Sequence, residues 1–183
     1  MASRRHLEGL TLVEVALVVC LLGVALAVFV PTFARELRIS KIAEAPEELE
    51  RLHQRAAAYF EVVFETDLGR MGHCLPEAAG PTPLAPTQEP EVVDFLAEEV
   101  EDHASWEALG FQPERPLRYS YRFIPAQHGC GISAEPEATL LTLRAEGDLD
   151  GDGSRSVFER NASIGEDGRL RPNGMLYVTD RVE

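Results

Sequence analysis

The chain has 183 residues, with 31 acidic side chains against 17 basic ones and a formal net charge of −14. That length fits one apolar segment and one globular domain. Its charge repels phosphate backbones, which excludes nucleic-acid binding driven by counterion release, and it keeps many packed copies soluble.

Residues 1–9 read MASRRHLEG and precede Leu10–Val30, a run that is apolar apart from Thr11 and Glu14. A helix crosses a bilayer with about 20 such residues. A secretory signal would have an apolar core of about 7–15 residues followed by a small-residue cleavage site. Here the run is longer, and Gly9 stands before it. A carboxylate inside a span costs roughly a few kcal/mol, so Glu14 is expected to have a partner, which a plain anchor does not provide. Arg4 and Arg5 place the leader on the cytoplasmic side and everything after Pro31 outside the cytoplasm.

Gly9, Leu10, Glu14, Gly23 and Pro31 together resemble the N-terminus of type IV pilins and of the pseudopilins of type II secretion systems. The resemblance covers the first 33 residues and departs at Leu10, where Phe is usual, and at Glu8. It implies a leader over residues 1–9, cleavage by a prepilin peptidase between Gly9 and Leu10, and N-methylation of Leu10. It implies a transmembrane and assembly helix over residues 10–33, an amphipathic continuation over 34–66 and a globular pilin-like domain over 67–183. The subunit would wait in the bacterial inner membrane at an assembly platform, then join other pilin subunits in a periplasmic or cell-surface filament. Glu14 would there meet the neighbour's N-terminus at Leu10. A secretion pseudopilin is the alternative. A membrane-tethered periplasmic calcium-binding module that never polymerises is the alternative of another class.

Farther along, Leu49, Leu52, Ala56, Tyr59 or Phe60, and Val63 recur at helical steps and predict one apolar stripe packed on a sheet. Pro31 and Pro46 are expected to bend the helix or loosen the preceding turn, and Pro46 with Glu47 and Glu48 reads as a first turn. Five prolines between Leu75 and Pro90 predict a surface loop without regular structure. Glu91–His103 reads as a short acidic helix with Val92, Phe95, Leu96 and Val100 on one side. Ser105 is expected to cap a turn through Trp106 and Leu109, closed by Gly110; Trp106, Leu109 and Phe111 read as core anchors. Strands are expected at Leu117–Ile124, Thr139–Arg144, Ser156–Ile164 and Met175–Thr179. A helix followed by about four antiparallel strands is an α+β domain, the plan of the pilin fold.

Cys20 reads as a small packing residue in the span. Cys74 and Cys130 lie in the oxidising compartment and are expected to form a disulfide, closing a loop of about 56 residues with a gain of roughly 4 kcal/mol. His73 and His128 raise a zinc site as a rival, although neighbouring side chains diverge on extended backbone. Asp148–Glu159 (DLDGDGSRSVFE) carries the EF-hand ligand spacing, with Asp148, Asp150, Asp152, the Ser154 carbonyl and Glu159 as candidate calcium ligands and Ser156 as a possible further one. Strands instead of helices flank it, and Arg155 replaces a small aliphatic residue. A bare Asp/Gly hairpin turn is the alternative. No combination of nucleophile, base and oxyanion donor is visible, so the chain reads as no enzyme.

Overall fold

The computed structural model describes residues 11–65, 69, 71–132 and 138–180, with backbone alone at 34–39. Two compact units divide the chain, Met1–Ser40 and Lys41–Glu183. The described part of the first is Thr11 and helix α1 (Leu12–Ile42) as far as Ser40. Pro31 sits inside it without ending it, and the helical break falls instead at Ala43, the residue before α2 (Glu44–Glu61). Pro46 occupies the first turn of α2, where the missing N–H has no helical acceptor in any case.

The second unit is α+β. Strands β1 (Val63–Glu65), β2 (Met71–Leu75) and β5 (Gly129–Cys130) form a small antiparallel sheet. The larger sheet runs β3 (Ala79–Thr82), β4 (Ser120–Pro125), β6 (Leu141–Gly147), β7 (Ser156–Ile164), β8 (Leu170–Thr179), antiparallel throughout. It has five strands, one more than expected. Helix α2 lays Leu49, Leu52, Ala56 and Phe60 on this sheet, each almost fully buried. They meet Tyr119, Tyr121 and Phe123 of β4 and its approach, and Leu141, Leu143 and Ala145 of β6. The stripe stops at Phe60, because the backbone turns extended at Val62; Val63 is an exposed residue of β1, so the amphipathic helix ends short of residue 66.

The Pro-rich segment is not wholly irregular. β3 forms within it at the sheet edge, where Pro81 can leave the ladder unpaired on one side. Gly80 allows this: at φ +89° its position would set a Cβ 2.2 Å from the Tyr121 carbonyl oxygen. The expected acidic helix at 91–103 is absent. Glu91 is instead hooked to Leu117 by two backbone hydrogen bonds of 2.8 and 2.7 Å, and the side-chain oxygen of Gln112 accepts from Phe95 N–H. These tertiary bonds hold turns where like-charged neighbours weaken a helix. The helix in this region is α3 (His103–Leu109), entered from Asp102 in the left-handed region; Ser105 is a buried residue inside it and not its cap. Phe95, Trp106 and Phe111 pack ring against ring beneath this segment, and the Trp106 indole donates to Thr82 Oγ1.

Candidate assembly and metal-binding sites

Leu12–Phe33 is long and apolar enough to cross a membrane. Gly9 and Leu10, the expected cleavage and methylation residues, lie outside the described residues. Glu14 does have a partner, and it is local. Its carboxylate accepts from the Thr11 backbone N–H at 2.8 Å and from the Thr11 hydroxyl at 2.9 Å, while Glu14 N–H donates back to Thr11 Oγ1 at 3.3 Å. Thr11-x-x-Glu14 is therefore a reciprocal capping box at the start of α1. The Thr-x-x-Glu spacing of this box is legible in the sequence itself. Cys20 is a free thiol on the exposed surface of α1.

Cys74 and Cys130 form a disulfide. They stand directly opposite each other where β2 pairs with β5, so the sulfurs are not available to zinc. His73 is committed elsewhere, with its Nδ1 2.6 Å from the Phe60 carbonyl and its ring stacked on that of Phe60.

The stretch 148–155 joins β6 to β7, with strands on both sides as expected. Asp148, Asp150 and Asp152 bring carboxylate oxygens within 4.8 Å of one another. The turn itself gathers them. Asp148 accepts from Gly151 N–H (2.7 Å) and Gly153 N–H (3.2 Å), Asp150 from Asp152 N–H, and Asp152 from Ser154 N–H (2.7 Å). Gln88 reaches across from the Pro-rich segment and donates its amide to the Asp150 carbonyl. Glu159 does not join them. It lies in β7 opposite Arg144 and pairs with that guanidinium at 3.2 Å. Ser156 is buried, and its hydroxyl donates to the Gly147 carbonyl. The residues thus fit a divalent cation in part: three hard oxygen donors converge, while calcium takes 6–8.

Two further arrangements arise only from strand register and tertiary packing. On the sheet face away from α2, Arg122, Arg144, Glu159 and Tyr177 stand in one cross-strand row. Glu146 beside them is held by Arg155 at 2.9 Å, Arg144 at 3.4 Å and Arg122 at 3.8 Å. Strand alternation already put these arginines on the face opposite Tyr121 and Leu143, but only the register shows which Glu they share. At the other face, Glu44 accepts from the backbone N–H groups of Arg118 and Tyr119 at 2.8 and 3.0 Å and from the Tyr121 hydroxyl. It pins the start of α2 to the start of β4. Burial pushes its carboxyl above the usual range, against the pull of those donors. No protein-family model matches this chain, nor does any curated protein or solved structure.

Proposed function

We propose that this chain is a subunit of a type IV pilus-like filament, a pilin or minor pilin, cleaved after Gly9 and methylated at Leu10. The observation that carries the reading is the capped apolar helix, with Glu14 in its first turn, followed by one α+β unit whose helix α2 lies on an antiparallel sheet. Apolar helices of neighbouring copies would pack into a bundle. In the low dielectric there, an unpaired Glu14 is costly, and a positive N-terminus from the next copy compensates it. The capping box adds a detail: Thr11 shields Glu14 while the subunit waits in the membrane, and the neighbour's charge competes with Thr11 for the same carboxylate during assembly. A calcium ion at Asp148, Asp150 and Asp152, completed by water and backbone carbonyls, belongs to the same reading, with the weak affinity of extracellular sites, on the order of 0.1–1 mM.

The test is intact mass and N-terminal peptide mapping of protein from native membranes, together with filament yield from Glu14→Ala. A methylated Leu10 terminus and a membrane-inserted variant that fails to polymerise are expected. An unprocessed N-terminus in cells with an active peptidase, or normal filaments from the variant, would overturn the reading. The first of these outcomes would favour the tethered module, and the Asp148 loop would then become the centre of its function.

A further inference from the structure

Ten arginines have described side chains, and nine of them hold an ion pair. Arg55 is the exception among the described residues, in a chain where acids outnumber bases 31 to 17. It stands exposed on α2 and lines a groove of about 400 Å³ with Arg51, Gln54, Ala58, Phe111 and Gln112. Phe111 lies beneath the groove and is only 2 % exposed, so the accessible wall is mainly polar, with Ala58 its exposed apolar side chain. Gln112 fixes one wall, since its amide is used on Phe95 N–H and the Val93 carbonyl. Glu114 is the single acid on the lining, against two guanidiniums.

The complementary surface is on the same chain. Residues 71–114 contain ten acids and neither Lys nor Arg. The seven carboxylates from Glu89 to Asp102 are all exposed, and none takes part in an ion pair among the described residues. Between them Val92 is 80 % exposed and Leu96 41 %. An interface core of exposed apolar groups with a rim of complementary charge is what specific association uses.

We propose that the Arg55 groove receives the acidic strip 89–102 of a second copy of this chain, with a carboxylate of the strip on Arg55 and Leu96 beside Ala58 of the groove wall. The contact deepens the filament reading and rests on it only for the polymer. Each copy carries both halves, so the contact either closes a pair or continues from copy to copy.

The test uses the full chain in detergent with Cys20→Ser, as two populations carrying Ala58→Cys and Leu96→Cys, mixed and treated with a short bis-maleimide. A cross-linked dimer is expected from the mixture, well above that obtained when Ser154→Cys replaces Leu96→Cys. Arg55→Glu on the Ala58→Cys chain should lower the yield about five-fold or more, as loss of a central interface arginine does. Glu98→Arg with Glu99→Arg on the partner should restore part of it, and about 0.5 M salt should weaken the original pair. A yield no greater than the Ser154 control, or one indifferent to both Arg55→Glu and salt, overturns the proposal. The cross-link needs neither leader cleavage nor a filament. Its absence from correctly processed protein therefore overturns this contact alone, whereas an unprocessed N-terminus in cells with an active peptidase overturns the filament reading alone, whether or not the cross-link forms.

Discussion

At the scale of single residues, the chain shows how one atom of backbone clearance decides an edge strand. Gly80 combines a positive φ with a carbonyl oxygen where a Cβ would be, so neither a torsional change nor a side-chain shift relieves an alanine there. Gly80→Ala is expected to cost about 2 kcal/mol or more, through strain at a φ that L residues avoid and through displacement of β3 from β4. For a chain of this size that lowers Tm by about 4–8 °C, measured by thermal unfolding monitored with circular dichroism. An unchanged Tm would mean that β3 pairs with β4 differently. Glu44 is the opposite kind of residue: an ionisable group whose burial is offset in part by three hydrogen-bond donors.

At the scale of elements, the β6–β7 hairpin carries the sharpest local chemistry. Three carboxylates crowd one turn, and each also accepts from the turn's own N–H groups. Like charges so close repel one another without a cation, so a bound divalent ion would tie down the loop and, through Gln88, the Pro-rich segment that touches it. Addition of about 2 mM calcium to chelated protein should raise Tm by a few degrees, the gain expected when ligand exceeds a weak Kd several-fold. The same addition to Asp150→Asn should raise it less. Equal curves with calcium and with chelator would leave the turn a hairpin held by its own Asp–amide bonds. Helix α2 is an element of another sort. Its Leu49, Leu52, Ala56 and Phe60 stripe is ordinary periodicity, and the sheet beneath gives that periodicity its use.

At the scale of the whole molecule, buried ionisable groups between α2 and the sheet make stability depend on pH in two opposing windows. His53 is 5 % exposed, and burial lowers its pKa below 6.5, with Arg160 adding to the shift and Glu50 opposing it. The unfolded chain therefore binds a proton before the folded one does, and stability falls as pH drops through 6.5. Glu44 and Glu48 are raised above 4.5 by burial. The folded state takes up their protons first, so their contribution increases as pH falls toward 4.5. Thermal unfolding of the wild type between about pH 7.5 and 5.5 should show a decline that His53→Leu reduces, because the variant lacks the buried imidazole whose protonation the fold opposes. Parallel curves for the two proteins would assign the decline to other groups. The surface surplus of acid is shared by both proteins and cancels in the comparison.

Features set by local sequence and by composition were legible without the fold. The apolar run from Leu12 to Phe33, the α+β succession, the bounds of β7 at Ser156–Ile164 and the burial of Trp106, Leu109 and Phe111 all follow from periodicity and turn chemistry over short spans. The pairing of Cys74 with Cys130 is legible from cysteine number and the oxidising compartment that the sequence reading expects for this domain. The remainder depended on contacts between residues distant in sequence. Glu91 abandons its helix for Leu117, Gly80 and Pro81 gain a strand because β4 offers an edge, and Glu159 leaves the EF-hand spacing because Arg144 stands across the ladder. A chain pattern specifies what each segment can form on its own. Which option is taken is decided by the partner that tertiary packing brings to it, since a hydrogen bond or ion pair left unmade in a buried place costs more than a local propensity returns.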